Sequence, residues 1–302
     1  MTRIPAFVLT AGLGLTLSGA AFAGAGGSAA KVWVASTGVD AAGCGAVASP
    51  CRTLQYAHDN IAAPGGAIYV KDAASYGLLS ITHAITIIND SSGTASITAT
   101  AGEPGIKIAA GASDAVVLKG LTVNNTPGAN NTNGVWLVSA ASVSLDHMTI
   151  TGMNFNGVNI APTTSMKVSL TNSLIENNGS NGVSVYPSGS ANVAIEATGL
   201  VVDNNGHTYN GNGFYVDGDN TSGTIFVLYS NSTANFNQQV GFGGDGARVT
   251  LTMTRSTGTG NAEGAEIYNG NSGVPTAYTY GDNRFKGNTI TDSSGFTSVS
   301  GQ

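Results

Sequence analysis

One phrase returns seven times between residues 105 and 267: a glycine followed by an apolar, a variable and an apolar residue. It reads GIKI from Gly105, GVWL from Gly134, GVNI from Gly157, GVSV from Gly182, GFYV from Gly213, GFGG from Gly241, with Gly244 in the last apolar place, and GAEI from Gly264. Successive glycines are 29, 23, 25, 31, 28 and 23 residues apart. Self-similarity at such a period marks stacked supersecondary units whose insertions fall in loops. A leucine-rich repeat has a similar period but needs Leu at several fixed places with an Asn between them, a pattern this chain lacks.

Within each unit a second run returns with apolar residues at alternate positions, as at Val116 and Leu118, Val143 and Leu145, Val168 and Leu170, Val193 and Ile195, Ile225 and Val227, and Val249 and Leu251. A period of two is the period of a strand, so the units are all β. Asn and Gly gather between them, at Asn124-Asn125, Asn177 to Gly179, Asn204 to Gly206 and Gly260-Asn261, where sharp turns need left-handed backbone. Asparagines recurring at one turn can also hydrogen-bond from unit to unit. With 302 residues, 43 Gly and only 9% Asp, Glu, Lys and Arg, a charged, helix-rich surface is excluded, and one elongated solenoid domain accounts for the length.

The net charge of -6 comes without a Lys/Arg cluster, which argues against nucleic acid and against docking on anionic lipid. The start of the chain has Arg3, an apolar stretch from Ile4 to Leu17, and Ala21-Phe22-Ala23, the three parts of a secretory signal cleaved after Ala23. The stretch is too short and too often interrupted to span a bilayer, so no membrane insertion follows signal removal. Export, to the periplasm or out of the cell, lets Cys44 and Cys51 pair as a disulfide, since no histidine neighbours them to make a zinc site. A segment from about Arg52 to Ala62 carries Leu54, Ala57 and Ile61 at helical spacing and is stopped by Pro64 and Gly65. Laid over the first coil, such a helix would cover an otherwise open end.

These features resemble the right-handed parallel β-helix proteins of the pectate-lyase-like superfamily. In particular they are similar to secreted bacterial repeat proteins of unassigned activity, which open with a strand, a Cys-to-Cys loop, a helix and a Gly-Gly turn. Here those pieces are Lys31–Ala35, Cys44–Cys51, the 52–62 segment, and Gly65-Gly66 leading to Val70. The expected order is a signal at 1–23, a linker at 24–30, a cap with disulfide and helix at 31–72, coils at 73–290 and a tail at 291–302.

Aligning the units on their glycines sorts the side chains. The second position after each Gly points outward and reads Lys107, Trp136, Asn159, Ser184, Tyr215, Gly243, Glu266; the fourth reads Ala109, Val138, Ala161, Tyr186, Asp217, Asp245, Tyr268. Asp217 and Asp245 thus fall on neighbouring coils, with Tyr215 and Glu266 diagonal to them. Two carboxylates about 5 Å apart could chelate calcium, or act as acid and nucleophile of a retaining glycosidase. Asp-Gly pairs also begin turns for local reasons, and both acids precede glycine. The rings of Trp136, Tyr186, Tyr215 and Tyr268 could stack on sugars. On the second strand Lys119, Asp146, Thr171 and Glu196 read as one outward column with a Lys119–Asp146 ion pair, and the four histidines read as isolated surface or turn residues.

Of the motifs that polygalacturonases carry, only Gly206-His207-Thr208 and Arg284-Phe285-Lys286 are echoed, without an adjacent Asp pair, and no Arg stands in an outward column to serve a lyase. The expectation is an exported β-helix that binds polysaccharide or cell-surface components rather than catalysing a reaction, with no cofactor, a calcium ion at Asp217 and Asp245 being the one candidate. A polysaccharide lyase or glycoside hydrolase using Asp217, Asp245 and Glu266 is the alternative.

Overall fold

The computed structural model describes residues 26–90 and 92–299, so the signal segment read at 1–23 lies outside the described residues. The chain winds through three sheets in which every strand pair is parallel. A long sheet has eleven strands, from Ala29–Val34 to Thr297–Ser298. A Gly-anchored sheet has nine, from Leu79–Ile81 to Thr291–Ser293, and a third has five, from Ala74–Ser75 to Leu174–Glu176. Beyond Leu174 the third face narrows to single bridges, Leu174 to Val201 to Thr233 to Thr257 to Arg284. This is the all-β parallel β-helix expected from the repeat.

One coil shows the logic. Val135–Ser139 runs in the Gly-anchored sheet, Ser142–Asp146 in the long sheet and Thr149–Thr151 in the third, before the chain reaches Gly157 one level on. Alternation buries Val135, Leu137, Val143, Leu145 and Ile150, and like residues stack on like through the solenoid. Two of the anchoring glycines show a steric need. A Cβ on Gly134 would sit 2.5 Å from Ile150 Cγ2 and 2.6 Å from the Gly157 carbonyl, and one on Gly157 would sit 2.6 Å from Ile175 Cγ2. The phrase therefore marks the corner where backbone presses against the third sheet's side chains. Where the chain passes Phe214, the aliphatic stack becomes aromatic, with Tyr229 between Phe214 and Phe242 at ring distances of 4.8 and 5.1 Å.

The turn asparagines do stack. Asn178 donates its side-chain amide to Asn205, Asn205 to Asn237, and Asn237 to Asn261, at 2.9, 3.0 and 3.1 Å, and each accepting oxygen also takes the backbone N–H of the residue before it in the ladder. These four are buried, so the ladder satisfies amides that water cannot reach.

The first coil is covered twice. Cys44 and Cys51 are joined, and the loop they close lies along the outer edge of Ala29–Val34: Trp33 N–H donates to the Gly45 carbonyl, and Cys51 N–H to the Trp33 carbonyl. The helical segment at Leu54–Ile61 begins behind Thr53, whose hydroxyl accepts from Tyr56 N–H at 3.1 Å, and buries Leu54 and Ala57. It lies against Leu79–Ile81, the first strand of the Gly-anchored sheet. At the far end the parallel pairing continues through Thr291–Ser293 and Thr297–Ser298, into the stretch read as a tail.

His58 and His83 are not isolated: they are buried in the cap, stacked with ring centroids 4.0 Å apart. Lys119 pairs with Asp90 at 3.0 Å, while Asp146 is held by His147, Thr171 and Asn172; Glu196 lies beside Ser169, in a different column from Asp146 and Thr171.

Candidate functional site

The Gly-anchored register keeps the second-position column of the glycine alignment, but the fourth slips at Val138, where Ser139 takes the place opposite Ala109. Lys107, Trp136, Asn159, Ser184, Tyr215, Gly243 and Glu266 are successive partners, and Asp217, Asp245 and Tyr268 follow one another in the neighbouring column.

At the heart of this face Asp217 and Asp245 are joined by a third acid that the columns do not contain. One oxygen from each of Asp217, Asp219 and Asp245 lies within 4.8 Å of the others. The Asp217 carboxylate accepts from the Asp219 backbone N–H at 2.8 Å, a local turn contact that brings Asp219 round the corner. Asp219 is then fixed by the Asn271 and Ser272 backbone N–H groups and the Ser272 hydroxyl, at 2.6 to 2.8 Å. Asp245 does not fold onto its own turn: it accepts from the Tyr215 hydroxyl at 2.9 Å, and its other oxygen is buried without a partner. The sequence signal for Asp219 was the Asp-Gly-Asp run at 217–219, where the second acid falls within reach of the first across a glycine.

The charges acting on this pair are all negative. Burial pushes the Asp217 carboxyl above the usual range, with the charge of Asp219 adding to it. Asp245 is pushed up to about 6 by burial first, then by Asp217 and Asp219, against the Tyr215 hydrogen bond that favours its charged form. Asp245 therefore takes up a proton only as pH falls through about 6. For calcium the donors are of the right kind, and the orphaned Asp245 oxygen is a ligand atom without other duty. Asp217, Asp219 and Asp245 would hold such an ion, and water would complete the usual six to eight or so oxygens.

The aromatic residues do not form one strip. Tyr215 and Tyr268 are neighbours with ring centroids 6.2 Å apart, on either side of Gly243, where a Cβ would come within 3.1 Å of the Tyr215 ring. The Tyr268 hydroxyl donates to Glu263, five residues earlier on its own strand, so its ring is laid back along the strand. Trp136 lies three strands from Tyr215, about 14 Å at the usual strand spacing, with Lys107 Nζ 5.3 Å above its ring. Tyr186 is exposed and its hydroxyl accepts from Asn220. Glu266 accepts from the Ser294 hydroxyl and stands outside the acidic cluster.

A further groove lies over the outer face of the long sheet. It encloses about 650 Å³ and is lined by Ser142, Ser144, Lys167, Ser169, Glu196, Phe226, Leu228, Thr250, Thr252 and Tyr280 among others. Phe226 is 53% exposed and Tyr280 46%. Phe226 and Leu228 occupy outward positions of Ile225–Ser230, where the flanking strands carry Ala194 and Glu196 on one side and Thr250 and Thr252 on the other. That break in the pattern is the signal by which they could have been found.

No family model and no curated protein matches the chain. The crystal structure of pectate lyase Pel9A matches with a TM-score of 0.52 and 15% identity, over 91% of this chain and 80% of that one. A GH136 lacto-N-biosidase from Eubacterium ramulus matches with 0.43 and 12% identity, over 89% and 67%. The A-module of the Azotobacter vinelandii mannuronan C-5 epimerase AlgE6 gives 0.27 and 13%, over 79% and 92%. The chain thus has a pectate-lyase-like parallel β-helix fold. Among the described residues no helix is long and apolar enough to cross a membrane.

Proposed function

We propose that the protein is an extracytoplasmic β-helix that binds a polysaccharide chain along the outer face of its long sheet and does not cleave it. The observation that carries this reading is the groove itself, where exposed Phe226 and Tyr280 stand among serine and threonine hydroxyls, with Lys167 and Glu196 as the charged groups. Aromatic faces match the apolar faces of sugar rings while hydroxyls and charges meet sugar hydroxyls, and the volume lies within the range of ligand sites. The disulfide and the fold shared with a pectate lyase support an exported protein acting on polysaccharide.

The placement of the carboxylates supports binding over cleavage. A hydrolase needs its two carboxyls on either side of the scissile bond. Asp217 and Asp245 are direct partners on one sheet face, and the Asp217 carboxylate is already engaged by the Asp219 backbone N–H. A lyase needs a basic group beside its acids, and among the described residues none contributes to the shift of either carboxyl.

One observation favours the catalytic alternative: Asp245 is pushed up to about 6 beside Asp217, the divergence of paired carboxyls that acid catalysis exploits. An oligosaccharide array and a product assay separate the readings. Expected are retained oligosaccharides, retention lost in Phe226→Ala, and no release of unsaturated or reducing sugars. Turnover that Asp217→Ala abolishes would reverse the conclusion.

A further inference from the structure

A second concavity lies on a different face, at the corner where the asparagine ladder leads into the Gly-anchored sheet. It encloses about 360 Å³ and is lined by Asn210, Gln238, Gln239, Ala262, Glu263, Tyr268 and Ile290. Its floor is fixed by backbone bonds between coils: Gln239 N–H to the Gly211 carbonyl at 3.1 Å, Glu263 N–H to the Gln239 carbonyl at 3.1 Å, and Ile290 N–H to the Ala262 carbonyl at 2.8 Å. On that floor the side-chain amides of Asn210, Gln238 and Gln239 make no hydrogen bond among the described residues. This contrasts with the same corner's buried asparagines, whose amides are committed to the ladder. The Tyr268 ring, laid back along its strand with its hydroxyl on Glu263, forms one wall, and Ile290, 72% exposed, is a bare apolar surface in the lining.

We propose that this pocket is a binding subsite for an uncharged sugar residue, an inference that rests on the polysaccharide-binding reading. A primary amide presents a donor and an acceptor side by side, which fits a pair of adjacent hydroxyls, and three such amides line this pocket. Tyr268 and Ile290 offer contact to the apolar face of a ring, the usual division of labour in a ligand site. The pocket's charged side chain is the carboxylate of Glu263, and no Lys or Arg lines it. A uronate would be repelled and left without a partner, so the pocket selects a neutral residue. The long-sheet groove, which has Lys167, carries no such selection.

The test uses the full chain and two sets of oligosaccharides of equal length, one neutral and one of uronates, with affinities measured by titration calorimetry. Gln238 and Gln239 are exposed, so Gln238→Ala with Gln239→Ala leaves the fold intact. Expected is a loss of tenfold or more in affinity for neutral oligosaccharides with affinity for uronates unchanged, and a gain in uronate affinity for Glu263→Gln. If the double variant binds every retained neutral oligosaccharide as tightly as the parent while Phe226→Ala does not, the pocket is overturned and the groove stands. If the parent binds neither set, the polysaccharide reading falls and this inference with it.

Discussion

The side-chain amide of Gln55 pairs with the backbone of Ser80 as a neighbouring strand would, its oxygen accepting from Ser80 N–H at 2.6 Å and its nitrogen donating to the Ser80 carbonyl at 3.1 Å. Ser80 is the middle residue of Leu79–Ile81, the open edge of the Gly-anchored sheet. Asp59 holds the amide in place by accepting from the same nitrogen at 2.8 and 2.9 Å. An edge strand that offers unpaired backbone groups invites another chain, and this contact closes it.

Gln55→Leu keeps the size of the side chain and removes both bonds. It should lower stability by about 1–3 kcal/mol, the range for leaving partly buried backbone groups unpaired. Urea denaturation would read the loss, and light scattering should show faster aggregation than in the parent. Unchanged values in both would mean that the helix, not the amide, closes the edge.

The disulfide acts on the other first edge. Cys44 and Cys51 are seven residues apart in sequence, and their loop supplies the hydrogen bonds that pair Trp33. Replacing both by serine should remove roughly 2–3 kcal/mol through the added freedom of the unfolded loop. Hydrogen exchange at Trp33 and Ala35 should rise more than exchange in the central coils. Equal increases throughout would show that the staple serves the whole solenoid rather than its cap.

How much of this was legible in the sequence depends on what anchored each column. On the Gly-anchored strands the register could be counted, because a side chain at Gly134 or Gly157 has no room, and the direct pairing of Asp217 with Asp245 followed. The long sheet lacks such a mark. Val193 aligns with Met166, not with Val168, so Glu196 falls beside Ser169. A slip of two residues leaves inward and outward faces unchanged, and alternation cannot reveal it. The links between the two sheets vary from the two residues after Ser139 to the seven after Asp217, which removes counting as a guide. Asp219 lies in the longer of these links. His58 and His83 meet because helix and strand are packed together, a contact 25 residues apart that no local pattern records.

That histidine stack makes the cap sensitive to acid. Burial lowers the His58 pKa, against the hydrogen bond from its Nδ1 to Asp59, and the charge of nearby His83 lowers it further. The folded state therefore holds His58 neutral where an unfolded chain would take up a proton near the usual value of about 6.5. The stabilisation is complete above that value and is lost as pH falls below it. His58→Gln does not titrate and can still accept from Thr82 N–H, which meets Nε2 at 3.4 Å. Between about pH 7 and pH 5 the parent's Tm should fall relative to that of the variant. Parallel curves would remove His58 as the cause.

The acidic corner yields a prediction about calcium that does not depend on any ligand. Asp217, Asp219 and Asp245 bring three carboxylates together with no cation acting on the first or the last, and one Asp245 oxygen is buried without a partner. An ion bound there would relieve the repulsion and join two coils with the loop that carries Asn271 and Ser272. Calcium at roughly 100 times its Kd should then add about 2.7 kcal/mol to the stability of the parent. Magnesium should add less, since its smaller, strictly octahedral shell suits a dedicated carboxylate cage poorly. The Asp217→Ala, Asp245→Ala double variant should gain nothing from either ion. Equilibrium dialysis checks the same point directly, and equal calcium uptake by the parent and the double variant would mean that the acids repel one another without a counter-ion, with the Asp219 turn bonds alone holding the corner.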